Sequence, residues 1–516
     1  MKKTILILAL LTLSAPAWAT AYYVANAGND SCNGTSSTIG SSGACAWKTI
    51  SKVSGTTLAA GSSVLFNCGD TWREQLQPHN GGSVGSPVVF STYGTCSGSN
   101  NPIISGSNLV TSWTTYSGSI YQASLATAPR NVYSDGLPSW GLAKAASLVG
   151  MTSGTWWWVS NVLYVWLPDS SNPSGHSMEA AIRLAGVYVN TGTGGNFSYL
   201  TISNFQIQRT STYGIYLHNY GTVSPFTSVT VSNNTLAQTG GGIVDNGYYN
   251  QLFILDEDYP ASSGVKITGN KLSYCGDHNC LQMQGTGAVE ISSNDVSEWN
   301  HNGIDVKDAP NASVDGNYVH DMTTIGAAFY IECDLIPCSV TWNNNTIYNV
   351  SNGFECSSAS SFALTCSAYN NSMFNLSNTG TVLALPNATS TAVVYSKNNA
   401  ASGVSSYIYN TGGSTAGITL YSDYNDVYGG TGSFWNGTTY GSLGSWHTAT
   451  GQDAHSLIVG PQFVNAPTSF ALQPTSPLIN MGTLVGLPYS GCAPDIGAVE
   501  FVGRSCGISP FWYAIP

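Results

Sequence analysis

The sequence predicts an all-β solenoid: a right-handed parallel β-helix with an N-terminal β cap, a small inserted β subdomain and a C-terminal cap. Three observations carry this prediction. The first is a phrase that recurs five times between Val229 and Ser357, an alternating apolar triplet followed shortly by Asn: Val229-Thr-Val231 with Asn234, Val265-Lys-Ile267 with Asn270, Val289-Glu-Ile291 with Asn294, Ala312-Ser-Val314 with Asn317, and Val340-Thr-Trp342 with Asn345. The second is an apolar pair after each Asn: Gly242-Ile243, Cys280-Leu281, Gly303-Ile304, Ala328-Phe329 and Gly353-Phe354. The third is composition, with only 8% charged residues and 57 glycines, as expected where most residues sit in strands or tight turns.

Period-two alternation reads as strand, and a strand that returns once per coil pairs with its own equivalent one coil later. Asn at a fixed point suits a tight turn, because it tolerates a left-handed backbone and its amide can bond to the same amide one rung away. Weaker copies lie at Leu200-Thr-Ile202-Ser-Asn204 before, and at Val394 to Asn399 and Leu420 to Asn425 after. A solenoid lengthens by adding coils, so 516 residues read as one long body with appended pieces.

Taken in order, Met1-Lys-Lys, the apolar run Ile5 to Leu13 and Ala17-Trp18-Ala19 have the three regions of a secretory signal peptide, with cleavage expected after Ala19. No later run of about 20 apolar residues offers a membrane span, so a secreted or periplasmic bacterial monomer is expected. Residues 20–110 read as the N-terminal β cap and first coils, since a solenoid end exposes a sheet edge that needs cover. Residues 111–185 concentrate Trp113, Trp140, Trp156, Trp157, Trp158, Tyr164 and Trp166, with a hairpin expected around Ser160-Asn161. These rings suit either the core of a small subdomain or a sugar-stacking platform. Coils fill residues 186–430, and 431–516 form a closing segment.

Twelve cysteines separate into local pairs, Cys32–Cys45, Cys68–Cys96, Cys275–Cys280, Cys333–Cys338, Cys356–Cys366 and Cys492–Cys506, which suits an exported chain better than a zinc site. The formal net charge of -12 argues against nucleic acid and anionic membranes as partners. It also disfavours a polyanionic substrate unless Ca²⁺ bridges it.

The Asn-punctuated coils, the phrase Phe66-Asn-Cys-Gly-Asp70-Thr-Trp-Arg73 and the closing Pro461-Gln-Phe463, Ser476-Pro-Leu-Ile479 and Asp495-Ile-Gly-Ala resemble the secreted right-handed β-helix proteins of the pectin-lyase-like superfamily. The resemblance covers most of the chain. Its members include polysaccharide lyases, glycoside hydrolases, uronate epimerases and non-catalytic adhesins, so it implies a fold more than a reaction.

Stacking turns equivalent positions of successive coils into columns about 4.8 Å apart per rung. Anchoring the second strands at Ile215, Ile243, Leu281, Ile304, Phe329 and Phe354 gives one outward column of Tyr216, Val244, Gln282, Asp305, Tyr330 and Glu355. The next column is His218, Asn246, Gln284, Lys307, Glu332 and Ser357. His278 and His301 lie just upstream, one rung apart. In a chain poor in charge, Asp305, Lys307, Asp308, Tyr330, Glu332 and two histidines on one face form the candidate site.

Two reactions fit it. A lyase acting by β-elimination on a uronate polymer, which the resemblance puts first, would use Lys307 as base and Tyr330 or His301 as proton donor. An inverting glycoside hydrolase would use Asp305 and Glu332, about 8 Å apart at the backbone, within the window of about 6.5–9.5 Å for an acid and base flanking a water. Asp256, Glu257 and Asp258, with Asp245 nearby and Asp308 on the coil face, could offer oxygen ligands to Ca²⁺, although a solvated loop fits the acidic run as well. A binding protein whose charged column only stabilises the coils is the third expectation. His218 and His320 read as ordinary surface or turn residues.

Overall fold

The computed structural model describes residues 19–503, apart from 136–139, 194–195, 220–224, 241–251, 257–261, 277, 286, 323–325, 358–361, 378–381, 385–390, 405–408, 411–416, 430–433 and 436–437. The signal segment expected before Ala19 lies outside these residues.

Each coil has three strands, and each strand pairs in parallel with its equivalents to give sheets of 12, 11 and 9 strands. The alternating triplets build the first sheet, where Val231, Ile267, Ile291, Val314 and Trp342 stand in register and point inward, all fully buried. A second inward column of Leu236, Leu272, Val296, Val319 and Ile347 faces them from the second sheet. The third sheet contributes Ile215, Leu252, Leu281, Ile304, Phe329 and Phe354. One continuous core follows, because a buried side chain of one coil rests on its equivalent in the next.

Between the first two sheets the asparagines form the expected ladder. Asn234, Asn270, Asn294, Asn317, Asn345, Asn371, Asn399 and Asn425 each donate or accept a side-chain amide bond of 2.9–3.0 Å to the neighbouring rung. The turn itself differs from the expectation. The left-handed residue is the one before each ladder Asn: Asn233, Gly269, Ser293, Gly316, Asn344, Asn370, Asn398 and Tyr424 all have φ between 52° and 66°. The ladder residue is thereby turned inward, so its amide works as a buried connector rather than as the turn.

A second correction concerns one coil. Its third-sheet strand is Leu252–Asp256, which pairs with Tyr213–Asn219 and Leu281–Gln284. Phe253 and Leu255, not Val244 and Asn246, therefore take the column positions; Gly242-Ile243 lies outside the described residues. Gly242-Ile243 matches the anchor pattern in sequence, but the register belongs to Leu252.

The Trp-rich segment forms a separate five-stranded sheet and a three-stranded sheet. Thr155–Val159 and Val162–Trp166 pair antiparallel around Ser160 and Asn161, whose φ of 52° and 63° mark a hairpin turn of the primed kind. Trp113 and Trp156 are buried in its own core, and Trp158 packs against them. Glu179 ties this piece to the coils through ion pairs to Arg73 at 2.8 Å and Arg209 at 2.7 Å, and through a short bond from Ser107. Burial alone would raise the Glu179 pKa, but the Arg73 bonds and the Arg209 charge hold it down at about 2.

At the far end, helix Leu443–Thr450, with a Ser442–Ser445 capping box, seats a buried Trp446 under the last coil. Five of the expected disulfides join described cysteines, which fits an oxidising compartment. The sixth expectation involves Cys506, outside the described residues. No helix among the described residues is long and apolar enough to cross a membrane.

Candidate active site on the third sheet

The outward columns of the third sheet run in the expected register from Gln282 onward. Gln282, Asp305, Tyr330 and Glu355 form one, and Gln284, Lys307, Glu332 and Ser357 the next. Upstream, Tyr188, Tyr216 and Phe253 continue the first column as stacked rings 5.3–5.5 Å apart.

Asp305, on strand Ile304–Lys307, is only 4% exposed. Its Oδ2 accepts a 2.6 Å bond from Asn279 Nδ2, while Oδ1 is buried without a hydrogen-bond partner among the described residues. Burial, then the Glu332 charge, raises its pKa well above the carboxylate range, and Lys307 and Asn279 oppose this only in part. Its surroundings therefore disfavour the charged carboxylate.

Lys307 is held in the opposite state. Its Nζ donates to Glu332 Oε2 at 2.7 Å and lies 2.7 Å from Asp334 Oδ2. Burial would lower its pKa, but the bonds to Asp334 and Glu332 outweigh this and raise it. A lysine so clamped keeps its proton, which works against the expected role as base. Asp334 was not foreseen; it sits in the loop closed by Cys333–Cys338, off the columns that alignment of strands can reach.

The two histidines stack, with centroids 4.8 Å apart and planes 16° from parallel. Burial, followed by the charges of His301 and Lys307, lowers the His278 pKa to about 4. Burial also lowers that of His301. His301 Nδ1 lies 3.1 Å from Asn279 Oδ1, an acceptor, so this nitrogen carries the proton and Nε2 keeps its lone pair. Asn279 thus bridges the exposed imidazole of His301 to the buried acid of Asp305. Burial raises the pKa of Tyr330, helped by Glu332 and Asp305, and it remains a phenol.

Of the residues expected to hold a cation, Asp308 alone has its side chain among the described residues. Asp308 Oδ1 accepts the backbone N–H groups of Asp334 and Leu335, both at 2.9 Å, so it shapes the Cys333–Cys338 loop. Glu257, Asp258 and Asp245 lie outside the described residues, as does the Asp256 side chain. Among the described residues no group of three or more His, Cys, Asp or Glu side chains is placed to hold a metal ion.

His320, read as an ordinary turn residue, is instead clamped between Asp295 and Asp321 at 2.9 Å each, with Tyr348 Oη at 2.9 Å. It belongs to the second sheet, away from these columns. His218 is buried on the third sheet, stacked on Tyr216.

Comparison with known proteins agrees with this architecture. The family described as right handed beta helix region matches residues 185–373 and 259–429. No curated protein matches the chain. Among solved structures, the complex of XylC with xylose aligns with a TM-score of 0.51 at 14% identity, over 76% of this chain and 69% of that one. The pectate lyase Pel9A aligns with a TM-score of 0.49 at 14% identity, over 94% and 97%. The lacto-N-biosidase of Eubacterium ramulus aligns with a TM-score of 0.45 at 13% identity, over 79% and 64%. The chain folds as a right-handed parallel β-helix, and the family model covers its central coils. At 14% identity the likeness to XylC is one of fold.

Proposed function

We propose that the protein is an exported carbohydrate-active enzyme that cleaves a glycosidic bond on the third sheet by acid–base hydrolysis. The observation that carries this reading is the contrast between Asp305, a buried carboxyl whose charged form is disfavoured, and Glu332, ion-paired with Lys307 one rung away. Two carboxyl groups in such different surroundings suit the acid and base of a glycosidase. In this reading Asp305 protonates the leaving oxygen, and Glu332 activates water from the other side of the sugar ring. Lys307 positions Glu332, and Asn279 positions Asp305. Substrate binding must uncover Asp305 Oδ1.

The charge of the face supports hydrolysis over elimination. Lys307 is outnumbered there by the carboxylates of Glu332 and Asp334. A glycosidase transition state gains positive character at the sugar ring, which such a face stabilises. Abstraction of a proton beside a uronate carboxylate builds negative charge, which this face opposes unless a cation such as Ca²⁺ is added. One observation favours elimination all the same: His301, exposed and with its pKa lowered by burial, is placed as a base where Lys307 is not.

One assay separates the readings. Incubation with a panel of neutral and uronate polysaccharides is expected to release reducing ends without ultraviolet absorbance, and Asp305→Asn is expected to lower the rate by a factor of about 10² or more. Absorbance from unsaturated products would establish elimination instead. Neither signal on any substrate would leave a binding protein.

A further inference from the structure

Phe374, Ser402 and Tyr428 stand in one register column on three successive coils of the second sheet. The closing segment from Val459 to Ala466 runs across them and leaves a cavity of about 560 Å³. None of the third-sheet site residues lines it. We propose that this cavity is a second glycan-binding site, one that takes a neutral sugar unit of a polysaccharide chain and takes no part in cleavage.

The size is right for a small ligand, since such sites enclose roughly 300–1,000 Å³. The lining chemistry is that of a pyranose, whose ring presents apolar C–H faces and a rim of hydroxyls. Phe374 and Tyr428 are two rungs apart, roughly 10 Å at the backbone, with only the small Ser402 between them. That spacing leaves a slot between two aromatic side chains, and Phe463 walls it from the closing segment.

Tyr428 is 49% exposed, so much of its ring is available to a ligand. Its position is fixed by Gly460, where an added Cβ would come within 3.3 Å of the ring and where φ is +73°. A larger residue would be strained there and would push the segment off the tyrosine. Ser402, Gln462 and Asn465 supply hydroxyl and amide groups that can both donate and accept, as a sugar rim requires. The lining carries no charged side chain, in a protein of net charge -12, so the cavity discriminates against uronates and selects a neutral sugar.

The test is calorimetric titration of the whole protein with xylohexaose, cellohexaose and mannohexaose, and with hexagalacturonate as the acidic comparator. At least one neutral oligosaccharide is expected to bind and the acidic one is not. Tyr428→Ala is expected to weaken that binding about tenfold, the loss of one ring contact worth about 1.4 kcal/mol. Asn465→Ala, on the exposed segment, is expected to weaken it several-fold, which guards against a folding defect in the first variant. Asp305→Asn is expected to leave the affinity unchanged while removing cleavage, so failure of the cleavage reading and failure of this one give different results. The proposal is overturned if no neutral oligosaccharide binds, if Tyr428→Ala and Asn465→Ala bind as well as the parent, or if Asp305→Asn alone abolishes binding.

Discussion

Replacing Asn317 by Ala removes four buried hydrogen bonds at once. Its Nδ2 donates to Asn345 Oδ1 and to Ile291 O, both at 3.0 Å. Its Oδ1 accepts from the backbone N–H of Asn294 at 3.0 Å and from Asn294 Nδ2 at 2.9 Å. A net value of about 1 kcal/mol per bond gives about 4 kcal/mol, and the stranded Asn294 N–H, with no water to turn to, pushes the cost up rather than down. Asn234, at the start of the ladder, supplies an internal control. It donates to Asn270 and to Ile202 O and accepts from the Phe205 N–H, three bonds in place of four. Its loss should cost about 1 kcal/mol less. Because a solenoid opens locally, amide hydrogen exchange is a better readout than a global midpoint. Amides of the coils between Val289 and Val350 are expected to exchange about a thousandfold faster in Asn317→Ala, as about 4 kcal/mol implies. An effect below about 1 kcal/mol, or a larger effect at Asn234 than at Asn317, would refute the view that the ladder bonds are individually stabilising.

Three other outcomes follow from the site and its surroundings. Lys307→Met removes the charge that opposes protonation of Asp305, so under hydrolysis the alkaline limb of the pH–rate profile should move up; an unmoved limb would separate the two residues. The His278 pKa falls from 6.5 to about 4 on folding, so the unfolded chain binds the extra proton and stability is lost as pH drops from about 6.5 towards 4. Melting curves of His278→Gln should show a shallower acid loss than the parent across that window, and equal slopes would count against the buried neutral imidazole. Glu179→Ala leaves Arg73 and the buried Arg209 without their shared carboxylate and should destabilise by about 3 kcal/mol or more in urea unfolding.

Much of this architecture was legible because the information is periodic. The triplets and the apolar pairs locate two of three strands in each coil, the short second-sheet strand directly after each Asn being missed, and the columns through Asp305, Tyr330, Lys307 and Glu332 follow from counting residues. What escaped was aperiodic. Leu252–Asp256 was hidden because its spacing from the preceding Asn234 is longer than in the other coils, and Gly242-Ile243 offered a false anchor. Asp334 sits in a loop whose path depends on a disulfide and on the carboxylate of Asp308, neither of which has a period. Asn279 was passed over because it resembles many other asparagines in this chain; only its bonds to His301 and Asp305 distinguish it. The cavity beside Tyr428 depends on a closing segment that crosses the coils instead of joining them.

The amide ladder also has a direction. Every rung donates towards the C-terminal end, and after Asn425 the backbone N–H is accepted by Ser456 Oγ of the closing segment, which ends the series. A chain of this kind is indifferent to its number of members but intolerant of a broken one. Insertion or loss of a complete coil, carrying its own asparagine, leaves every donor with an acceptor, whereas a partial coil strands a pair in the core. The protein is therefore built to change length in whole coils, and the span of its outer face can vary in steps without redesign of what holds the coils together.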